Sequence, residues 1–264
     1  MPPLPNSLLQ SPAFWAFTQV KALIWMLTLV RLTGLLAAMP GFGQSRVPLQ
    51  IRVALVLLLA LVIAPVVPPP AVLPDGMYQL VGIMVTELAA GVLMGLCVAW
   101  IIDTVAFAGQ LMDTQMGYAF VQFLDPVSAH PASISGSLLT QLTMVFILVS
   151  GLHHQMILAL VESYRILPIG QGLPLKPLAL VAQIGQILIR GFQLAFPVLL
   201  TLFLVDVMAG ISGKFMPQLQ LIQLTFPVKI GLGLTMLAIV LREFNAWILP
   251  LVEDIPRTAL RMLS

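Results

Sequence analysis

The chain has 264 residues, of which 59% are hydrophobic and 8% charged, and its mean hydropathy is +1.04. Soluble domains carry about 25% charged residues, so these figures exclude a water-exposed globule and point to a membrane-embedded chain. With 12 basic and 10 acidic residues the net charge is +2, too balanced for a nucleic-acid partner.

The first residues, MPPLPNSLLQSPAF, hold four prolines and no basic residue before Lys21. A signal peptide needs a positive start and an unbroken apolar core, so the first apolar segment is expected to stay in the mature protein. Six apolar blocks follow, at 14–39, 53–67, 80–102, 138–161, 178–211 and 230–252. A membrane span needs about 20 mostly apolar residues, and only some blocks meet this cleanly. The second is short and contains Pro65, and Pro197 is expected to divide the fifth. Lys21 and Arg31 sit in the first block, Glu87 in the third, Arg190 and Asp206 in the fifth, Arg242 and Glu243 in the sixth.

A central Arg or Asp costs roughly 2.5–3.5 kcal/mol on insertion, and each Leu, Ile, Phe or Val returns roughly 0.3–0.6. The apolar neighbours of Arg190 can balance its cost, but its guanidinium should face protein or water. So many charges in so short a chain favour helices covered largely by other subunits. The loops agree. Six simple spans with Arg46 and Arg52 inside would place the Arg165/Lys176 loop outside and the Lys- and Arg-free region 103–136 inside, against the positive-inside rule. An extra passage within 103–136 relieves only part of the conflict. Gly91 and Gly95 form a small-xxx-small pair that admits another helix closely, within or between chains.

Signals for catalysis are weak, and no cofactor is expected. His153 and His154 are adjacent, so on a helix they cannot chelate one metal as an i, i+4 pair would. Gly213-Lys214 is followed by Phe215 where a phosphate loop needs Ser or Thr, and there is no G-x-S-x-G elbow. Asp103 and Asp113 are ten residues apart, about 15 Å along a helix, too far for a cooperating acid and base. Cys97 stands alone in an apolar run and reads as a small core residue. No metal site is expected. Glu87, Arg190, Asp206 and Lys229 have two readings: interhelical pairs that fix register, or an ion path as in transporters. Pairing is favoured because two similar halves, common in transporters, are absent.

One segment fits none of these classes. QMGYAFVQFLDPVSAHP, at 115–131, is too apolar for an ordinary loop and too broken by Gly117, Asp125, Pro126 and Pro131 for a spanning helix. Irregular backbone at membrane depth is tolerated only when buried in protein or lining a cavity. It is either a buried packing loop or a constriction. As a constriction, adaptable Met116 with Tyr118, Phe120, Phe123 and Leu124 would close a conduit and yield to something passing. Gly117 would be the flexible joint, and Asp125-Pro126 a rigid end.

Several motifs, in order, carry a family resemblance over nearly the whole chain: Arg46-Val47-Pro48, Gly109-Gln110 leading to Gln115-Met116-Gly117, Phe123-Leu124-Asp125-Pro126, Leu167-Pro168-Ile169-Gly170, Met216-Pro217-Gln218-Leu219 and Phe226-Pro227. With them the sequence resembles the FliR family of flagellar export-gate membrane proteins, whose injectisome counterpart is SctT. It departs from that pattern at Ser212-Gly213-Lys214-Phe215, where an Arg-containing element often precedes the Pro-Gln motif. The final third, with Asp206, Pro217 and Phe226-Pro227-Val228-Lys229, also resembles FliP.

The resemblance implies an all-α polytopic membrane protein of long, proline-interrupted helical hairpins. It would comprise a FliP-like portion and a FliQ-like hairpin, acting as a single export-gate domain over 1–264 and packed in a helical hetero-oligomer. It implies FliP, FliQ and FlhB as partners, unfolded flagellar proteins as substrates, and a place in the bacterial inner membrane within the flagellar basal body. It implies no enzymatic activity, and a pore plug formed by the segment matching 116–131. The alternatives are a secondary transporter or ion-conducting protein using the intramembrane charges, and a membrane scaffold without a conduit.

Overall fold

The computed structural model describes residues 12–41, 48–70, 74, 76–118, 133–174, 177–215 and 221–264. Seven helices account for almost all of them: α1 Pro12–Ala38, α2 Leu49–Ile63, α3 Met77–Met116, α4 Ile134–Val149, α5 Leu152–Ile166, α6 Pro177–Phe215 and α7 Leu221–Leu263. No strand occurs among the described residues. This is the economical solution for a chain this apolar, because a helix satisfies its own backbone groups where water cannot.

Among the described residues four helices are long and apolar enough to cross a membrane: residues 19–38 of α1, and α3, α6 and α7. α4 and α5 together make a fifth, interrupted candidate, and α2 is a shorter apolar helix. α3, α6 and α7 have 40, 39 and 43 residues. At about 1.5 Å per residue each is about 60 Å long, twice the roughly 30 Å hydrocarbon layer. Much of each helix therefore has to lie outside that layer.

Two block boundaries differ from the sequence expectation. Pro197 does not divide the fifth block; α6 runs through it without a break. Proline removes one backbone donor and crowds the preceding turn, but ending a helix in an apolar medium would leave several groups unsatisfied. Continuing is cheaper. The 138–161 block is instead broken, between α4 and α5, at Ser150-Gly151. Gly151 has φ 70°, a left-handed conformation that glycine adopts without penalty.

The chain forms two compact units. One contains residues 1–99, 153–177 and 255–264, the other 100–152 and 178–254. In the first, α1 packs on α2, and the core includes Leu27, Leu32, Leu35, Met94 and Leu160, with Ala259 and Leu263 from the end of α7. α1 and α3 interlock through glycine. A Cβ on Gly34 would lie 2.5 Å from the Leu88 carbonyl, one on Gly95 would lie 2.5 Å from that of Leu35, and one on Gly91 would overlap the Arg31 carbonyl. The small-xxx-small pair is thus taken up within the chain, where bare backbones let two helices touch.

In the second unit the core includes Met112, Leu139, Val198, Leu202 and Ile248. Gly191 brings α6 onto α3, where an added Cβ would lie 2.9 Å from the Thr104 carbonyl and 2.7 Å from the Phe107 ring. The outer row of α6, including Val181, Ile184, Phe203 and Met208, is left exposed, an apolar face to be covered by lipid or protein.

Candidate functional site

Three constellations among the described residues are candidates for a functional site. The first is built on Arg31, in the middle of α1 and fully buried. Its guanidinium is held from every side. Nε donates to Glu87 Oε2 of α3 at 2.6 Å, one terminal nitrogen to Ser163 Oγ of α5 at 3.0 Å, and the other to the Leu167 carbonyl at 3.1 Å. The Tyr164 ring lies against its face, 4.0 Å from centroid to guanidinium carbon. Only Arg offers a planar fork with donors in several directions and a face that stacks. The Ser163 hydroxyl in turn donates to the Leu160 carbonyl at 2.6 Å.

This network also explains a motif. Leu167 supplies the carbonyl, Pro168 accepts from the Gln171 N–H at 3.2 Å, and Gly170 turns the chain at φ 89°. The tetrapeptide Leu167-Pro168-Ile169-Gly170 is thus the lid of the Arg31 pair. Beside it opens a cavity of about 470 Å³, lined by Gln79, Ile83, Thr86, Ile169 and Gly170 among others.

The second constellation joins α6 and α7. Lys229 Nζ lies 2.5 Å from Asp206 Oδ1, with Asp206 42% exposed on its side chain and Lys229 16%. Of the four charges singled out in the sequence, the structure therefore brings Asp206 and Lys229 together and gives Glu87 to Arg31. Arg31 was visible as an intramembrane charge, but nothing local marked it as the partner of a residue 56 positions away. Arg190 forms no ion pair among the described residues. The His153 and His154 rings lie with centroids 4.1 Å apart, tilted 44° to each other.

The third constellation lies where α3 ends. Met116 is fully buried, and its side chain occupies the notch left by Gly233 of α7, where an added Cβ would lie 2.6 Å from Met116 Cγ. Gly117 follows at φ 85°, with the Phe226 ring so close that an added Cβ would lie 2.6 Å from it. A side chain at 117 would be strained twice, in backbone and in space. Tyr118 is half-buried. Phe120, Phe123, Leu124, Asp125 and Pro126 lie outside the described residues.

A helical membrane chain with an apolar segment rooted between packed helices narrows the choice, and comparison with known proteins decides it. Residues 22–255 match the family described as Bacterial export proteins, family 1. The chain belongs to that family. Among its relatives, the flagellar biosynthetic protein FliR of Caulobacter vibrioides is 28% identical over 225 residues, covering 84% of this chain and 90% of its own. FliR of Bacillus subtilis is 27% identical over 221 residues, 81% of this chain and 85% of its own. The surface presentation of antigens protein SpaR of Salmonella typhimurium is 27% identical over 155 residues, 58% and 59%. As a bacterial export protein of this kind, the chain is an inner-membrane component of a flagellar, type III export apparatus.

Proposed function

We propose that the chain is a non-enzymatic core subunit of the flagellar export gate. With FliP and FliQ it forms the pore through which unfolded flagellar proteins pass, and FlhB joins that assembly. Residues 1–264 act as one export-gate domain, and the segment 116–131 is the plug of the pore. The observation that supports this most is the root of that segment, where buried Met116 and positive-φ Gly117 are seated against Gly233 and Phe226. A segment so apolar, held so firmly at its start, suits a closure that must return to one place after each passage. Exposed apolar faces on α2 and α6 fit coverage by further subunits. The Arg31–Glu87 and Lys229–Asp206 pairs suit charges that hold register better than charges that line an ion path.

Deleting residues 117–130 tests the plug. The assembled complex is expected to form at normal levels and to pass potassium on the order of tenfold faster than wild type, corresponding to loss of about 1.4 kcal/mol of closure. An assembled deletion complex as tight as wild type would rule the plug out.

A further inference from the structure

Asp113 lies one turn before the end of α3 and is 5% exposed. Its carboxylate reaches across to the start of α4. Oδ2 accepts the Ser133 hydroxyl at 2.6 Å and the Ser135 N–H at 3.1 Å, and Oδ1 lies 3.3 Å from the same N–H. Ser133 Oγ in turn accepts the Gly136 N–H at 2.9 Å. The first N–H groups of a helix have no partner within it. Here the Ser133 cap satisfies one, and Asp113, from another helix, satisfies a second and sets its charge against the positive end of α4.

Just behind this contact the backbones of α3 and α4 touch, since a Cβ on Gly109 would overlap Gly136. No cation pairs with Asp113 among the described residues. Among the described residues this buried carboxylate is held by one hydroxyl and one amide, a costly way to start a helix, because an ordinary cap needs no second helix. What the arrangement adds is position. The chain leaves α3 after Met116 and comes back at Ser133, and Asp113 fastens the return beside the departure.

We infer that Asp113 is a positioning residue for the plug: a clamp that holds both roots of the intervening segment at one place. This rests on the plug reading proposed above. Loss of Asp113 should open the pore although the sequence of the segment is unaltered.

The test uses the full chain co-expressed with its membrane partners, and measures both assembly and potassium efflux from vesicles holding the purified complex. Asp113→Ala loses both the Ser133 and the Ser135 bond; it is expected to assemble and to leak at least on the order of tenfold more than wild type, the factor for one charge-assisted hydrogen bond alone. Asp113→Asn keeps an acceptor for Ser135 and Ser133 and should restore part of the seal, which a role in assembly alone would not predict. If Asp113→Ala does not assemble, Ser133→Ala decides. It removes the Ser133 bond to Asp113 together with the Gly136 cap bond, and a leaky, assembled complex supports the inference while a tight one overturns it. If deletion of 117–130 leaks but Asp113→Ala and Ser133→Ala assemble and stay tight, the clamp is wrong and the plug survives. If none of the three leaks, the plug reading itself fails and the clamp with it.

Discussion

Arg31→Ala is expected to prevent the chain from accumulating in the membrane. The substitution leaves Glu87, 1% exposed, as a charge with its ion-pair partner gone, and it removes the support beneath Tyr164. Breaking a buried pair from one side costs about 3–5 kcal/mol, a large share of the roughly 5–15 kcal/mol that holds a domain folded. Arg31→Lys should fail nearly as badly. One ammonium keeps the charge but cannot serve Glu87, Ser163 and the Leu167 carbonyl in three directions while lying flat on the ring. The double substitution Arg31→Met with Glu87→Leu should recover much of the loss, because no unpaired charge remains. Membrane levels of all the variants, and thermal melting of those that accumulate, decide this. Equal melting temperatures for wild type and Arg31→Ala would show that the pair contributes nothing.

Gly91→Ala should be the next most damaging single change. The added methyl would overlap the Arg31 carbonyl, and its next neighbours, the Arg31 carbonyl carbon at 2.9 Å and the Leu35 nitrogen at 3.0 Å, are also backbone. Backbone cannot swing aside as a side chain can, so α1 and α3 must separate. Overpacking of this kind costs about 1–3 kcal/mol, sometimes more, and here it also pulls on the Arg31–Glu87 pair. The two sites share one crossing, so Gly91→Ala combined with Arg31→Ala should cost less than the sum of the two. Gly82→Ala is the internal control. It lies in the same helix with nothing within 4 Å of an added Cβ, and should be neutral or stabilising by up to about 1 kcal/mol. Melting temperatures of the three variants check the prediction, and Gly91→Ala matching Gly82→Ala would contradict it.

The helical, membrane-embedded character was legible from composition, because few charges and long apolar blocks leave no other way to satisfy the backbone. The Gly91/Gly95 motif was legible as a close approach, but not its partner. Gly34 completes the contact only once α1 and α3 are side by side. The same holds for Arg31 and Glu87, each visible as an expensive charge, with no local signal to say that they pair. Pro197 does not divide its block, because ending a helix in an apolar medium costs more than the one donor that proline removes. Ser150-Gly151 was the reverse case, a turn dipeptide hidden in an apolar run. Of the gate residues, Met116 and Gly117 gained partners on α7 that lie more than 100 positions away in the sequence, in Phe226 and Gly233. Asp113 was read only as half of a failed acid–base pair, and its bonds to Ser133 and Ser135 depend on how the chain returns after twenty residues.

A gate subunit of this kind works only within an assembly. Isolating it from the membrane under mild conditions and determining the subunit composition is the most direct measurement. The account predicts a stable complex containing FliP- and FliQ-type subunits, with little of the chain recovered alone. Recovery as a stable single subunit that moves ions or solutes by itself in reconstituted vesicles would contradict it.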